Sequence, residues 1–127
     1  MRYLLDTHTF LWWIDGSDQL SAKAIALLED AENDICFSAA SAWEIAIKAA
    51  QRRLGFTKDR STVQRAVAEY GFTKLSISHD HALEVFNLPP IHKDPFDRLL
   101  IAQAIVEAAP LITSDQAIAR YPLTTIW

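Results

Sequence analysis

Short apolar runs alternate with stretches of helical spacing along the whole of this 127-residue chain. Such runs are short enough for buried strands, whereas the stretches between them repeat their apolar residues every three to four positions. This alternation predicts an α/β domain with a central, mostly parallel sheet, and right-handed crossovers would put helices on both of its faces. The predicted strands are RYLLD (2–6), DICFS (34–38), FTKLSI (72–77), PLITS (110–114) and LTTIW (123–127).

The predicted helices fill the intervals between these strands. A single domain over residues 1–127 is expected, since the chain shows no repeat, linker or low-complexity tract and is long enough for one core. Pro89 and Pro90 should stop one helix, and Pro95 should begin the next. The helices are predicted over 7–14, 21–32, 39–54, 61–70, 78–88 and 95–108, with a short one from Asp115.

Four carboxylates fall at strand-to-helix junctions or in the first turns of the helices that follow. Because the carboxyl ends of parallel strands share one edge of a sheet, these side chains are expected to converge there. The four are Asp6, Glu44, Asp97 and Asp115.

Each acid also has a local explanation as a helix cap. Asp94 is suited to an N-cap before Pro95, Asp97 stands where a capping box puts its acid, and Glu44 would complete such a box with Ser41. Asp6 and Asp115 could be N-caps as well.

Electrostatic repulsion decides against capping as the explanation of the whole cluster. Two carboxylates about 5 Å apart repel by roughly 3 kcal/mol at an effective dielectric of about 20, whereas a cap stabilises by only about 1 kcal/mol. A bound divalent cation would remove the repulsion. All-oxygen ligation favours Mg²⁺, with Mn²⁺ as the alternative, and the four histidines do not form a zinc pattern.

The net charge of −4 argues only weakly against a nucleic-acid partner, because the basic residues are unevenly distributed. Half of the twelve lie within eighteen positions, and that segment could receive a phosphate backbone or could equally be a solvated helix face. The candidate RNA contacts in it are Lys48, Arg52 and Arg53.

Several classes of protein are not supported by the sequence. There is no Gly-rich phosphate loop, no nucleophile elbow and no apolar run near the roughly 20 residues that span a bilayer.

The single cysteine, Cys36, lies in an apolar run and is expected to be a buried thiol, which makes a cytoplasmic location the default. His8 and His92 are expected to be supporting or structural groups, and Trp12, Trp13 and Trp43 to be core or interface residues in preference to base-stacking ones.

Four motifs in this order resemble the PIN-domain family, in particular the VapC-like toxins of bacterial toxin–antitoxin pairs. They span nearly the whole chain and read LLDTHTFLWW, SAASAWEIAIKAAQRRL, HKDPFDRLLIAQA and PLITSD. The resemblance implies a three-layer α/β/α domain with the activity of a Mg²⁺-dependent endoribonuclease. The family's acidic site falls on Asp6, Glu44, Asp97 and Asp115, which would hold the metal and carry the catalysis, with Asp94, Thr113 and Ser114 as auxiliary candidates.

The resemblance also implies partners. These are an RNA substrate, a small antitoxin whose basic side chain often enters the acidic pocket, and a second copy of the chain in a homodimer. Two alternatives remain open. One is a catalytically inactive PIN-like module that binds a basic peptide or protein, and the other is phosphoryl transfer through Asp6, although DTH lacks the second acid which that chemistry usually needs.

Overall fold

The computed structural model describes residues 1–51 and 58–127. Within these residues the sheet has five strands in the order β3-β2-β1-β4-β5, and every neighbouring pair is parallel. The predicted α/β class with a parallel sheet is therefore confirmed. The strands are β1 (Arg2–Leu5), β2 (Asp34–Ser38), β3 (Thr73–Leu75), β4 (Leu111–Ile112) and β5 (Thr125–Ile126).

The helices follow the predicted order, with two short 3₁₀ helices where longer elements were expected. The helix predicted over 78–88 tightens into 3₁₀ geometry before Pro89, and the one expected from Asp115 is a single 3₁₀ turn. The end of the helix predicted to reach residue 54 lies outside the described residues. The helices are α1 (Thr7–Asp15), α2 (Ala22–Glu29), α3 (Ala39–Ala50), α4 (Arg60–Glu69), α5 (His79–Glu84) and α6 (Pro95–Glu107), and the 3₁₀ helices are Val85–Asn87 and Ile118–Arg120.

Two apolar clusters lie on opposite faces of the sheet. Successive side chains of a strand point to opposite faces, so Tyr3 and Leu5 of β1 pack in one cluster and Leu4 packs in the other. The first cluster includes Phe10 of α1, whose ring lies 4.3 Å from that of Phe37. Helices cover both faces, and the sandwich has the three layers α/β/α.

The strand register brings the carboxyl ends of three neighbouring strands together. In the central strand, Leu4 is paired with Cys36 of β2 and with Leu111 of β4. Asp6 therefore follows β1 in the middle of the carboxyl edge, between the segments that leave β2 and β4.

Cys36 is buried as predicted. None of the helices within residues 1–51 and 58–127 is both long and apolar enough to cross a membrane. The assignment of residues 1–127 to a single domain stays a prediction.

Candidate active site

The four predicted acids all lie at the carboxyl edge of the sheet, close enough to affect one another's ionisation. Asp6 follows β1, Glu44 is in the second turn of α3, Asp97 is in the first turn of α6, and Asp115 follows β4. The charges of Glu44 and Asp115 both act to raise the pKa of Asp6, and the charges of Asp6 and Glu44 both act to raise that of Asp97. The expected convergence is therefore observed.

Asp6 occupies the N-cap position of α1, but its side chain makes no capping hydrogen bond. Its Oδ2 accepts a 2.8 Å hydrogen bond from the Thr113 hydroxyl, while its buried Oδ1 has no hydrogen-bond partner among the described residues. Burial raises the pKa of Asp6, and it remains raised although the Thr113 hydrogen bond and nearby His8 lower it. Capping therefore does not explain why an acid stands here.

Glu44 does not belong to a capping box, so that interpretation of the S-x-x-E pattern is wrong. The N-cap of α3 is Ser38, whose Oγ accepts from the backbone N–H of Ala40, because β2 leads into the helix three residues earlier than the pattern suggested. The Ser41 hydroxyl instead accepts a 2.8 Å hydrogen bond from the Thr7 hydroxyl. This buried contact joins the first turns of α1 and α3, which lie beside the first two acids.

One oxygen of Glu44 is paired and the other is not. Its Oε2 accepts a 2.7 Å hydrogen bond from the Lys48 ammonium, one turn further along α3. Its Oε1 is buried and has no partner within the described part of the chain. Glu44 is only 3% exposed, so bulk solvent has little access to its carboxylate.

Of the two aspartates at the start of α6, Asp94 caps the helix and Asp97 does not. Asp94 is the N-cap of α6, and its Oδ1 accepts from the backbone N–H groups of Phe96 and Asp97. The Asp97 side chain is thereby released from capping, and its Oδ2 lies 3.1 Å from His92 Nε2. Burial, followed by the charges of Asp6 and Asp94, raises the pKa of Asp97 to about 7.

Asp115 is the least buried of the four acids and the one most fully supplied with donors. Its Oδ2 lies 3.0 Å from His92 Nε2, and its Oδ1 accepts from the backbone N–H groups of Ala117 and Ile118. Burial acts to raise the pKa of Asp115, but these hydrogen bonds outweigh it and the pKa is lowered. Asp115 is therefore ionised at pH values at which Asp97 still tends to hold a proton.

His92 holds two of the acids together. Its Nδ1 accepts the backbone N–H of Asp94 at 3.1 Å, so in a neutral ring the proton is on Nε2. Nε2 can then donate to Asp97 and Asp115, and these three side chains offer ligand atoms within 4.8 Å of one another. With Nδ1 engaged in this way, Nε2 has no lone pair for a metal, and His92 orients the carboxylates.

Sequence reasoning expected His92 to be a supporting group, but it did not place this residue beside the acids. The available signal was its position two residues before a helix N-cap, and that signal is weak, because the contact with Asp115 spans 23 residues. Thr7 was not singled out, and Ser41 was considered only as a capping residue, since a pair of hydroxyl groups has no recognisable spacing.

The auxiliary candidates differ in their surroundings. Thr113 donates to Asp6 and accepts the backbone N–H of Asp115 at 3.1 Å, so one hydroxyl links two of the acids. Ser114 is exposed. Lys48 borders the acids through its ion pair with Glu44, while Arg52 and Arg53 lie outside the described residues. A role of these three basic side chains and of Ser114 in binding RNA or metal stays a prediction.

The donor set fits an oxygen-ligated divalent cation. One buried oxygen of Asp6 and one of Glu44 have no partner among the described residues. The charge of Glu44 is paired with Lys48 through its other oxygen, whereas that of Asp6 is costly to bury unless a cation compensates it. Within residues 1–51 and 58–127, no lysine or arginine forms an ion pair with Asp6, Asp97 or Asp115. Hard oxygen ligands of this kind suit Mg²⁺ or Mn²⁺.

Comparison with known proteins agrees with this geometry. The PIN domain family model matches residues 3–123 of the chain. The chain belongs to the PIN-domain family. Among characterised proteins, this PIN domain is 31% identical over 128 residues to Ribonuclease VapC22 of Mycobacterium tuberculosis, an alignment that covers 98% of this chain and 97% of the relative.

Solved structures share the fold of this PIN domain at low sequence identity. The VapBC2 complex from Rickettsia felis, bound to a DNA fragment from its promoter, matches with a TM-score of 0.77 at 19% identity, over 100% of this chain and 99% of that one. The VapBC-1 structure from nontypeable Haemophilus influenzae matches with a TM-score of 0.64 at 16% identity, over 99% and 97% of the two chains. At these identities the structures support the fold alone.

Proposed function

We propose that this PIN domain is a Mg²⁺-dependent endoribonuclease of the VapC type, with Mn²⁺ as a possible substitute metal. Asp6, Glu44, Asp97 and Asp115 would hold the metal. The single observation that carries the proposal is the pair of buried carboxylate oxygens, Asp6 Oδ1 and Glu44 Oε1, that have no partner among the described residues. The name of the relative, Ribonuclease VapC22, supports RNA as the substrate.

The remaining side chains prepare these acids for their role. Thr113 fixes Oδ2 of Asp6 and leaves the buried Oδ1 without a partner among the described residues, while His92 keeps Asp97 beside Asp115. Asp97, with a pKa raised to about 7, can hold or release a proton near neutral pH. A divalent cation, when bound, supplies a water of lowered pKa and neutralises negative charge on the phosphate oxygens.

The direct test is cleavage of RNA by the purified chain with Mg²⁺, with EDTA, and with the Asp6→Asn variant in Mg²⁺. We expect cleavage in the first case and its loss in the other two. The matched control is Asp80→Asn, since Asp80 is also an acid in the first turn of a helix but is exposed and remote from the cluster in sequence. Equal activity under all conditions would refute the proposal.

We further propose that the protein acts in the cytoplasm as the toxin of a toxin–antitoxin pair, and that it forms a homodimer. The similarity to the VapBC2 and VapBC-1 structures supports an antitoxin partner. Co-expression with the product of an adjacent short reading frame should suppress the RNA cleavage, and sedimentation should give the mass of two chains. Cleavage that no such partner suppresses would argue against the toxin assignment.

A second candidate function is a catalytically inactive PIN module that binds a basic peptide. The ion pair between Lys48 and Glu44 favours it, because it demonstrates that the acidic cluster accepts an ammonium group. Calorimetry separates the two functions. Binding of Mg²⁺ or Mn²⁺ supports the nuclease, whereas binding of a Lys- or Arg-rich peptide without any metal binding supports the inactive module.

A further inference from the structure

An aromatic pair, of which Trp43 is exposed and Phe96 is partly buried, comes one residue before two of the acids in the sequence. Trp43 immediately precedes Glu44 on α3, and Phe96 immediately precedes Asp97 on α6. Their ring centroids are 5.2 Å apart with the planes at 81°, an edge-to-face contact that bridges the two helices. Sequence reasoning expected Trp43 in the core or an interface, but 57% of it is exposed in the chain.

The other tryptophans next to this sheet are packed differently. Trp12 and Trp13 are partly buried against the apolar cluster of α1, and their rings lie 5.8 Å from Trp127 and 5.5 Å from Tyr70 respectively. Burial of apolar surface accounts for both. It does not account for Trp43, whose large apolar ring is left mostly in water at the border of the acidic cluster.

We propose that Trp43, supported by Phe96, stacks on an unpaired base of the RNA strand beside the bond to be cut. This inference rests on the proposed nuclease function and adds to it a side chain that contacts a base of the substrate. An edge-to-face contact engages at most one face of the indole, and 57% of Trp43 is exposed, which leaves apolar ring surface on which a base can stack. The contact with Phe96 also fixes the orientation of the ring, which reduces the entropy lost on binding.

The charge of the site explains why stacking is needed there. Until a cation is bound, the acids repel a phosphate backbone, and Lys48, which borders them, is already paired with Glu44. Stacking between a base and an aromatic ring is independent of charge and of base identity. A base in a duplex is already stacked and paired, so this contact selects for single strands.

The test combines protein variants with altered oligoribonucleotides. Dissociation constants are measured in EDTA, so that no strand is cut, for a single-stranded oligoribonucleotide and for a set in which one base at a time is removed. We expect Trp43→Ala to weaken binding by about 5- to 100-fold, and Trp43→Phe to restore most of it. Phe86→Ala is the control, since Phe86 is 87% exposed and is not next to an acid of the cluster.

The decisive result is the coupling between ring and base. One abasic position should weaken binding to the unaltered protein and should have no further effect on Trp43→Ala, because both changes remove the same contact. A merely structural role of Trp43 would not produce this coupling to one base. The same variant should also lose preference for single strands over duplexes.

Failure of this inference can be told apart from failure of the nuclease proposal. If the unaltered protein cuts RNA with Mg²⁺ but Trp43→Ala binds and cuts normally, stacking is refuted and the nuclease stands. If every abasic strand affects both proteins equally while sedimentation shows that Trp43→Ala no longer dimerises, the ring serves contact with a second copy and stacking is refuted. If the unaltered protein cuts no RNA, the nuclease proposal itself fails.

Discussion

The two ends of the sheet carry carboxylates in opposite circumstances. At the amino edge, Arg2 donates to Glu107 at 2.9 Å and to Asp34 at 3.2 Å, Thr73 donates to the other oxygen of Asp34, and His81 lies 2.9 Å from the other oxygen of Glu107. Both oxygens of both acids are thus paired. At the carboxyl edge, four acids have fewer donors per carboxylate, and two of their buried oxygens have none within the described chain.

A pair of histidines makes the contrast clearer. His81 and His92 each accept a backbone N–H at Nδ1, from Ser78 and Asp94 respectively, so each presents Nε2 as the donor when neutral. His81 serves one acid that also has an arginine, whereas His92 is shared between two acids that have no lysine or arginine ion pair among the described residues. The first arrangement completes a structural network, and the second leaves charge for a ligand to neutralise.

Removal of one acid from each edge should give the largest difference between them. We expect Asp97→Asn to lower RNA cleavage by more than about 100-fold, since supporting residues around metal ligands alone contribute 10- to 100-fold. Glu107→Gln should retain cleavage within a few-fold. The assay is cleavage in Mg²⁺ at a temperature where circular dichroism shows both variants to be folded. A comparable loss of cleavage in Asp97→Asn and Glu107→Gln would show that the two edges do not differ in function.

The free energy of unfolding should depend more on the acids of the amino edge than on those of the carboxyl edge. Glu107→Ala leaves the nearly inaccessible Nε2–H of His81 without an acceptor, and an unsatisfied buried polar group costs about 1–3 kcal/mol of the free energy of unfolding. Glu69→Ala is the matched control, because Glu69 likewise ends a helix but is exposed. Urea denaturation measures both. If the two variants are equally stable, the amino-edge network is not a structural one.

The sequence predicted the fold better than it predicted the contacts of the site. The strand segments and the convergence of the four acids followed from local patterns, since each strand and each junction can be recognised within a few residues, whereas the order of the strands in the sheet was not predicted. Glu44 and Ser41 formed a misleading local pattern, because the helix begins at the end of β2 and its cap is Ser38. The contact of His92 with Asp115 depends on tertiary packing over 23 residues, which no local pattern records.

The pH dependence of stability should have opposite signs at the two edges. Burial and neighbouring acids raise the pKa of Asp97 from 3.8 to about 7, so between those values the folded state binds the extra proton and stability falls as pH rises. Hydrogen bonds from Thr73 and Arg2 lower the pKa of Asp34 despite its partial desolvation. Its contribution is present above its unfolded pKa and is lost as pH falls through the lowered folded value.

Urea denaturation in EDTA from about pH 3 to about pH 8 measures both signs. Asp97→Asn should reduce the decline between about pH 4 and pH 7, with Asp6, whose pKa is also raised, carrying the remainder, and Asp34→Asn should remove part of the acid-side loss. Added Mg²⁺ should stabilise the unaltered protein at pH 8 and stabilise Asp97→Asn less. A decline that is unchanged in Asp97→Asn would mean that Asp97 does not carry the proton.

The smallest expected effect concerns Thr113, whose hydroxyl donates a hydrogen bond to Asp6 at the carboxyl edge. Thr113→Val removes the hydroxyl that donates to Asp6 and accepts from the Asp115 backbone, whereas Thr113→Ser keeps it. Without that donor the pKa of Asp6, already raised by burial, should rise further, so the valine variant should cut RNA about tenfold more slowly near neutral pH and recover part of the loss as pH rises. Cleavage rates of both variants across that pH range test this. A loss shared by the serine variant would assign the role to the threonine methyl group, and a loss independent of pH would mean that the hydroxyl positions Asp6 without controlling its charge.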